Sequence, residues 1–181
     1  MARNAEEITR YGFQATDELL LDANVWFFLY GPYPPGSQKA AVYSRALAKI
    51  LVAKSRIYVD VLVISEFVNR YARLKHQLLQ GRSGVSREFK TFRQSSTFKA
   101  IARDIAADVR RILANSTRAE SGFAALDIDS LVTEYGRGDS DFNDLVLTEL
   151  CKSRGFTLVT DDGDFKGKDI AILTANKRLL A

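Results

Sequence analysis

The run Phe156-Thr-Leu-Val-Thr160, followed at once by the turn Asp161-Asp-Gly-Asp164, is the stretch of this sequence that decides the fold. It is a short segment of β-branched and apolar residues bounded by acids and glycine, the pattern of a buried strand that ends in a turn. A second short segment, Leu19-Leu-Leu21, is apolar without alternation and ends directly at Asp22. It predicts a strand that is covered on both faces, as the strands of a parallel sheet are.

Helical segments alternate with further short strands along the rest of the chain. Residues 56–59 predict a strand, and Asp60 is placed to cap a helix over residues 61–79 that carries Glu66 in its second turn. Strands that alternate with helices predict an α/β fold, with a parallel sheet and helices on both of its faces. The other predicted elements are helices over residues 40–54, 97–115, 130–135 and 141–152, strands over 124–128 and 170–173, and loops over 31–37 and 80–96.

The composition is that of an ordinary globular protein. A chain of 181 residues with 46% hydrophobic content predicts one domain with a buried core. Its longest apolar stretches, residues 19–21, 25–30 and 61–64, are far shorter than the roughly 20 residues of a membrane helix, so we expect no membrane association. The N-terminal segment has acids where an export signal is apolar, and the single Cys151 gives no disulfide framework. We therefore expect a cytoplasmic protein in which Cys151 is packed in the core.

The formal charge of +4 is unevenly spread along the chain. Residues 69–118 contain twelve Lys or Arg and three acids, so this segment carries +9 and the remainder carries −5. An acidic pocket that binds metal beside a basic surface that binds phosphates produces such a separation. A solvated basic helix face with no ligand produces it equally well.

Several acids are predicted to meet at one edge of the sheet. Ligands bind open parallel sheets outside the carboxyl ends of the strands, and Asp22, Asp161 and Asp162 follow strand ends. Glu66 and Asp144 lie early in helices that follow other strands. Carboxylates at such proximity repel one another unless a cation neutralises them. With a single histidine and a single cysteine in the chain, oxygen ligands favour Mg²⁺ or Mn²⁺ over zinc.

Each acid also has a structural explanation of its own. Asp22 fits a turn at the end of a strand, and Glu66 fits a buried salt bridge with an arginine. Asp141 and Asp144 fit the positive N-terminus of a helix, and residues 161–164 fit the chemistry of a tight turn. A common site explains all of these acids with one cause, and we favour it for that reason.

Two further features of the middle segment are less specific. His76, the only histidine, lies between basic residues and is interpreted as a surface helix residue and not as a catalyst. Phe89, Phe92 and Phe98 interleave with basic residues. This pattern suits stacking on single-stranded RNA, and it suits packing against a partner protein equally well.

Four short motifs, in a fixed order, carry a family resemblance. They are Leu20-Leu-Asp22-Ala-Asn24, Val63-Ile-Ser-Glu66-Phe67, Asp141-Phe-Asn-Asp144-Leu-Val-Leu147 and Leu158-Val-Thr160-Asp-Asp162-Gly-Asp164-Phe165. In these motifs the chain resembles the PIN-domain family of nucleases, in particular the toxin subunits of VapBC-type bacterial toxin–antitoxin pairs. The resemblance covers residues 19–71 and 124–173.

The resemblance implies a three-layer α/β/α PIN-like fold over residues 1–181, with a helical basic insertion at about residues 80–121. It implies an endoribonuclease in which Mg²⁺ or Mn²⁺ activates water for the hydrolysis of a phosphodiester bond. The catalytic, metal-binding acids would be Asp22, Glu66, Asp144 and Asp162. Supporting residues would be Asn24, Asp141, Thr160 and Asp164.

The resemblance also implies partners. The substrate would be RNA, and the chain would be the toxin of a pair, inhibited by a small antitoxin protein and able to form a homodimer. Basic residues of the middle segment would bind RNA phosphates without reading sequence. These are Arg70, Arg73, Lys75, Arg87, Lys90 and Arg93.

Other functions are compatible with parts of the pattern. A housekeeping RNA-processing nuclease or a DNA-flap nuclease would keep the same fold and the same acids. A receiver-like regulator would bind Mg²⁺ around a phosphorylated aspartate, but it needs an acid pair on the first strand and a lysine at the end of a late strand, and neither is evident. A non-catalytic RNA-binding module would not need the complete set of acids.

Overall fold

A six-stranded sheet, in which every neighbouring pair of strands is parallel, forms the centre of the computed structural model, which describes residues 4–33 and 36–181. The strands are β1 (Ala5–Glu7), β2 (Glu18–Leu21), β3 (Arg56–Val59), β4 (Thr117–Arg118), β5 (Thr157–Val159) and β6 (Ile172–Thr174). Their order across the sheet is β1-β6-β5-β2-β3-β4.

Helices supply the crossover connections that parallel strands need. The helices of the described residues are α1 (Ala23–Tyr30), α2 (Gln38–Ala53), α3 (Val61–Leu79), α4 (Phe89–Phe92), α5 (Ser96–Ala114), α6 (Ile128–Tyr135), α7 (Phe142–Arg154) and α8 (Lys177–Leu180). Short 3-10 turns cover Phe123–Ala125 and Gly163–Phe165. The predicted three-layer α/β/α architecture around a parallel sheet is confirmed.

Strand β2 lies inside the sheet and sets the position of the first acid. Leu20 is in register with Leu158 of β5 on one side and with Tyr58 of β3 on the other. The three leucines of β2 are at most 1% exposed, so the strand is covered on both faces as predicted. The carboxyl ends of β2, β3 and β5 therefore meet at one edge, which brings the residues that follow them together.

The β3–α3 unit is the part of the chain that the sequence predicts best. Both bounds of β3 and both bounds of α3 agree with the prediction. Asp60 caps α3 because its carboxylate accepts a hydrogen bond of 2.8 Å from the Leu62 amide, one of the amides that a helix start leaves without a partner. The other predicted helices are observed as α2, α5, α6 and α7, with ends shifted by one or two residues.

The predicted strand over residues 124–128 is wrong. Residues Phe123–Ala125 form a 3-10 turn, and Asp127 caps α6 by accepting a hydrogen bond of 3.0 Å from the Ser130 amide. Asp127 therefore stabilises a helix that starts two residues before the predicted residue 130. On the side away from β2, β3 pairs with β4, which comes earlier in the chain than residues 124–128 and is two residues long.

The predicted loop over residues 80–96 contains helix α4, whose Phe92 is buried against His76 with 4.7 Å between ring centroids. His76 is itself 5% exposed, and its Nε2 donates a 2.8 Å hydrogen bond to the Ser86 carbonyl. The surface position expected for His76 is therefore wrong, because the aromatic residues of α4 cover it. Phe92 is itself 1% exposed, so it is not available to stack on a base.

Two elements at the chain ends have no counterpart in the prediction. β1 adds to the sheet beside β6, and α8 follows β6. Of the predicted loop over residues 31–37, Pro34 and Pro35 lie outside the described residues, and so do the first three residues of the N-terminal segment. In the described residues, no helix combines the length and the apolar composition that a membrane crossing requires.

Candidate active site

Asp22 stands at the end of β2 and begins helix α1. Its Oδ1 accepts a hydrogen bond of 2.5 Å from the Ala23 amide, and its Oδ2 accepts bonds of 2.6 Å from the Asn24 amide group and 2.7 Å from the Thr160 hydroxyl. Asp22 is 4% exposed. Asp22 follows a strand end, as its structural explanation expected, and there it serves as a helix cap; a cap alone does not need two further side-chain donors.

Asn24 and Thr160 connect β2 to β5 behind this carboxylate. The Asn24 amide group also donates to Thr160 Oγ1 at 3.1 Å, and its carbonyl oxygen accepts from the Asp161 amide at 3.1 Å. Thr160 Oγ1 in turn accepts from the Asp162 amide at 3.0 Å. Both side chains are buried, so this network holds the Asp22 carboxylate and the backbone of the Asp161–Asp162 turn in one arrangement.

The two adjacent acids of this turn have different partners. The carboxylate of Asp161 forms a salt bridge of 2.6 Å with Lys39 and accepts a 2.9 Å hydrogen bond from the Tyr43 hydroxyl, both of which belong to α2. Asp162 caps the following 3-10 turn through the Asp164 amide, and its charge acts on the other acids of the site. Asp161 is therefore a structural acid that fastens α2 to the sheet, and Asp162 belongs to the site.

Helices α3 and α7 bring Glu66 and Asp144 to the same edge. Glu66 lies in the second turn of α3 and Asp144 in the first turn of α7, and both are half-buried. Neither carboxylate forms an ion pair with a Lys or Arg of residues 4–33 or 36–181. The buried salt bridge that would have explained Glu66 structurally is therefore not observed in that part of the chain.

The four acids lie close enough together to act on one another's ionisation. Burial raises the pKa of Asp22 to about 7; the Thr160 hydrogen bond opposes this shift, and the charges of Glu66 and Asp162 add to it. Burial also raises the pKa of Asp144 to about 7, with further contributions from Asp22, Asp162, Asp141 and Glu66. The raised pKa values of Asp22 and Asp144 mean that burial and neighbouring negative charge disfavour their ionised forms, which a bound cation would stabilise.

Glu66 shows the same electrostatic behaviour with one difference. Burial raises its pKa, and Asp141 and Asp162 raise it further, but Arg70 acts in the opposite direction. Arg70 is therefore a cation near the site that influences Glu66 without forming an ion pair with it. Such a cation is available to a negatively charged ligand.

Of the two acids expected to support the site, Asp141 acts on its electrostatics and Asp164 does not. Asp141 is the N-cap of α7, where its carboxylate accepts a 2.8 Å hydrogen bond from the Asn143 amide, so its helix-capping explanation is observed. Its charge nevertheless reaches Glu66 and Asp144. Asp164 is exposed and contributes to none of the three pKa shifts.

The side chains of this site do not converge on a single point. Among the described residues, no three His, Cys, Asp or Glu side chains are arranged so that they could hold one metal ion. The donors are nevertheless hard carboxylate oxygens, which fit Mg²⁺ or Mn²⁺ in kind. Within residues 4–33 and 36–181, no ion pair with Lys or Arg fixes Glu66 or Asp144, the two acids that the helices contribute.

Cys151 lies in α7 and is buried as expected. Burial, with a smaller contribution from the charge of Asp22, raises the pKa of its thiol to about 12. The thiol is therefore protonated at neutral pH and does not act as a nucleophile.

The basic residues expected to bind RNA lie along a continuous part of the fold. Arg70 and Arg73 are exposed on the same side of α3 as Glu66, and Lys75 lies with its ammonium 5.8 Å from the centroid of the Tyr71 ring. Arg87, Lys90 and Arg93 are exposed in and around α4. The chain thus places a set of cations beside the acids, beginning one helical turn from Glu66.

Sequence reasoning missed the residues that position the Asp161–Asp162 turn. Lys39 and Tyr43 bind the Asp161 carboxylate, and the Asn176 amide group donates a 2.7 Å hydrogen bond to the Asp161 carbonyl. Lys39 and Tyr43 precede this turn by more than a hundred residues, and they lie in a helix with no motif. No local pattern in the sequence points to them.

Comparisons with known proteins agree with this architecture. The family model of the PIN domain matches residues 19–171, a span that contains all four acids. One similar solved structure is VapBC2 from Rickettsia felis bound to a DNA fragment from their promoter, with 14% identity, a TM-score of 0.53, and coverage of 88% of this chain and 98% of that chain. Another is PAE2754 from Pyrobaculum aerophilum, with 18% identity, a TM-score of 0.51, and coverage of 97% and 94%.

At these identities the two structures support the fold alone. A comparison with curated proteins gave no match. The family model, in contrast, spans most of the chain and includes the strands and helices from which the acids project. This chain therefore belongs to the PIN-domain family.

Proposed function

We propose that this chain is a Mg²⁺- or Mn²⁺-dependent endoribonuclease whose acids are Asp22, Glu66, Asp144 and Asp162. Members of the PIN-domain family are nucleases, which hydrolyse phosphodiester bonds. The observation that carries the proposal is electrostatic: Asp22, Glu66 and Asp144 come from separate elements, and burial together with neighbouring acids raises the pKa of each. Carboxylates perturbed by burial and by like charges are typical of functional sites.

The residues of the chain have separate tasks in the proposed reaction. When bound, the metal would supply a Lewis acid and lower the pKa of the attacking water. Thr160 and Asn24 hold the Asp22 carboxylate in one orientation, which is how partners of a ligand tune a metal site. Asp162 is held by its turn, and Glu66 and Asp144 complete the acid set from the helix side. Arg70 is placed to bind a phosphate beside the scissile bond.

We further propose that the chain is the toxin of a toxin–antitoxin pair and that a small antitoxin protein inhibits it. The likeness to a chain of the VapBC2 complex supports this assignment, because it extends over 98% of that chain. A homodimer belongs to the same proposal. The helical basic insertion expected at about residues 80–121 contains α4 and α5, and we propose that it belongs to the same domain.

Cleavage of RNA by the purified chain tests the enzymatic proposal. Wild-type protein should degrade single-stranded RNA with Mg²⁺ or Mn²⁺ and not with EDTA, and Asp22→Asn should reduce the rate roughly 100-fold or more without changing the circular dichroism spectrum. Asp161→Asn is the matched control. It removes the carboxylate next to Asp162 in the chain, which binds Lys39 and Tyr43 and is not one of the four proposed acids. The control should keep its activity within a few-fold.

Three results would reject the proposal or change it. Metal-independent cleavage, or equal activity of wild type and Asp22→Asn, rejects the assigned site. Equal losses in Asp22→Asn and Asp161→Asn would mean that both carboxylates act through the local structure, and Asp22 would lose its assigned role. Cleavage of single-stranded DNA or flaps, with RNA left intact, would replace the endoribonuclease with a DNA nuclease of the same fold.

A further inference from the structure

One face of helix α3 extends the acidic site into an elongated cavity. Glu66, Arg70, Arg73 and Gln77 follow one another at helical spacing, so they share a face of the helix. With Phe27 and Tyr33 from α1 and the segment after it, they line a cavity of about 550 Å³. We call this cavity, defined by these six residues, the α3 groove. Glu66, an acid of the site, is the first of these helix residues, and Arg73 lies about 10 Å from it along the helix axis.

Aromatic rings hold two cations along the α3 groove. The guanidinium of Arg70 lies 4.8 Å from the centroid of the Phe27 ring, and that of Arg73 lies 5.0 Å from the Phe89 ring. Neither arginine forms an ion pair with an acid of residues 4–33 or 36–181. A cation that rests on a ring keeps its charge available, whereas one paired with a carboxylate has its charge neutralised.

Tyr33 contributes an aromatic ring to the α3 groove, and packing against Phe28 and Phe27 fixes its position. It is half-buried, and its ring stacks on Phe28 with 5.2 Å between centroids and 28° between planes. Its contact with Phe27 is edge-on at 5.3 Å. Because the ring lines the α3 groove and is already supported by Phe28, a planar ligand can stack there without ordering the side chain first.

We propose that the α3 groove binds the single-stranded nucleic acid next to the scissile phosphate, with Arg70 and Arg73 on phosphates and a base stacked on Tyr33. This inference rests on the proposed nuclease function and adds the residues that bind the strand beside the site. Rings alternating with free cations are what unpaired strands bind, because an unpaired base exposes its flat face. A cavity of about 550 Å³ lies in the size range of sites that enclose one small ligand, which suits one or two unpaired nucleotides.

The binding experiment uses a fluorescently labelled single-stranded oligouridylate and a duplex of the same length. Anisotropy is measured in EDTA, and again with Mn²⁺ in an Asp22→Asn background so that the strand is not cleaved. Wild type should prefer the single strand roughly tenfold. Tyr33→Leu, which keeps an apolar contact with Phe28, should weaken single-strand binding roughly tenfold, and Tyr33→Phe should stay within about twofold of wild type. The preference for single strands should disappear in Tyr33→Leu.

The arginines need controls for charge and for geometry. Arg70→Ala should weaken binding roughly five- to tenfold, and Arg70→Lys should recover only part of this because lysine lacks the planar group that rests on Phe27. Arg103→Ala is the matched control, since Arg103 is also an exposed cation of the basic segment but lies on α5. It should change binding less than about twofold.

The results separate this inference from the nuclease proposal. Three results would each overturn the α3 groove. The first is single-strand binding that is unmeasurable both in EDTA and with Mn²⁺. The others are equal losses of affinity in Arg70→Ala and Arg103→Ala, and a preference for single strands that is unchanged in Tyr33→Leu. An enzyme that cleaves RNA normally when Tyr33 and Arg70 are changed would also reject it, and the nuclease function would stand. Specific single-strand binding without cleavage under any metal would reject the nuclease proposal and leave the α3 groove intact.

Discussion

The Thr160 hydroxyl is the residue-scale feature that most directly controls the acids. It is completely buried, donates to Asp22, and accepts from Asn24 and from the Asp162 amide. Thr160→Val keeps the shape of the side chain but leaves these groups without their partner. We expect cleavage to fall roughly 10- to 100-fold, as for other partners of metal ligands, and the free energy of unfolding to fall by about 1–3 kcal/mol.

Thr160→Ser is the control for this prediction because it restores the hydroxyl and loses only a methyl group. Cleavage rates and urea denaturation curves should place Thr160→Ser near wild type and Thr160→Val well below it. If the two variants lose activity equally, the methyl packing and not the hydrogen bonds positions Asp22.

The raised pKa of Asp144 predicts a pH-dependent change in stability. Its pKa in the folded chain is about 7 and the ordinary pKa of an aspartate is 3.8, so the folded chain binds this proton more tightly than the unfolded chain. The resulting stability is fully present below pH 3.8 and is lost as the pH rises to about 7. Asp144→Asn removes the charge, so in EDTA at pH 8 it should raise the melting temperature by roughly 2–4 °C.

The gain in Asp144→Asn should shrink or vanish at pH 4, where wild type is also largely protonated at this position. Asp129→Asn is matched to it, because Asp129 is likewise an acid in the first turn of a helix but is exposed. Calorimetry of the three proteins at both pH values is the measurement. A loss of stability in Asp144→Asn at pH 8 would mean that its favourable interaction with the helix N-terminus exceeds the repulsion.

Among single residues, the sequence predicts on which edge of the sheet the acids lie better than it predicts their partners. Asp22 and Asp162 follow strand ends, where parallel topology places ligand sites, and the assignment of the four acids to catalysis stays a prediction. The distinction between Asp161 and Asp162 is set by Lys39 and Tyr43, which the fold brings from α2. Such long-range contacts leave no mark in a local pattern.

Helices α2 and α7 both end at a residue in the left-handed conformation, and these two ends test how much that conformation costs in stability. Helix α2 ends at Lys54 with φ of 59°, and α7 ends at Gly155 with φ of 68°. Among the described residues, Lys54 is the one non-glycine residue at positive φ. Lys54→Gly should therefore raise the free energy of unfolding by about 0.5–1 kcal/mol, since glycine adopts this conformation without strain.

The reverse change, Gly155→Ala, should lower the free energy of unfolding by about 1 kcal/mol. A Cβ at Gly155 would meet no atom within 4 Å, so the loss would come from the backbone conformation and not from a clash. Lys54→Ala controls for removal of the lysine side chain and should not stabilise. Urea midpoints of the three variants decide the prediction, and equal effects of Lys54→Gly and Lys54→Ala would contradict it.

Elements with a long periodic pattern are predicted from the sequence, and short ones are not. Helix α3 has 19 residues and a capping aspartate, which together define it. Strand β4 has two residues, too few to show any period, and its place in the sheet depends on pairing with β3. Helix α4 is four residues long, and it exists because Phe92 packs on His76 and not because of local propensity.

At the scale of the whole molecule, the separation of charge matches the separation of structure. The segment of residues 69–118 that carries +9 contains most of α3 and all of α4 and α5. The remainder, which carries −5, contains all four acids. Attraction of a polyanion by the one part and repulsion by the other would orient it over the acids. This orientation follows from the sequence, because charge is counted without knowing any contact.

Salt dependence tests this orientation. Replacing Arg87, Lys90 and Arg93 by glutamine should weaken binding of single-stranded RNA and reduce the slope of log K against log salt by about 2, near 0.7 for each lost phosphate contact. Replacing Arg45, Lys49 and Arg154, which are equally exposed but belong to α2 and α7, should leave the slope nearly unchanged. Equal slopes for both triple variants would show that net charge alone, and not the basic segment, attracts the strand.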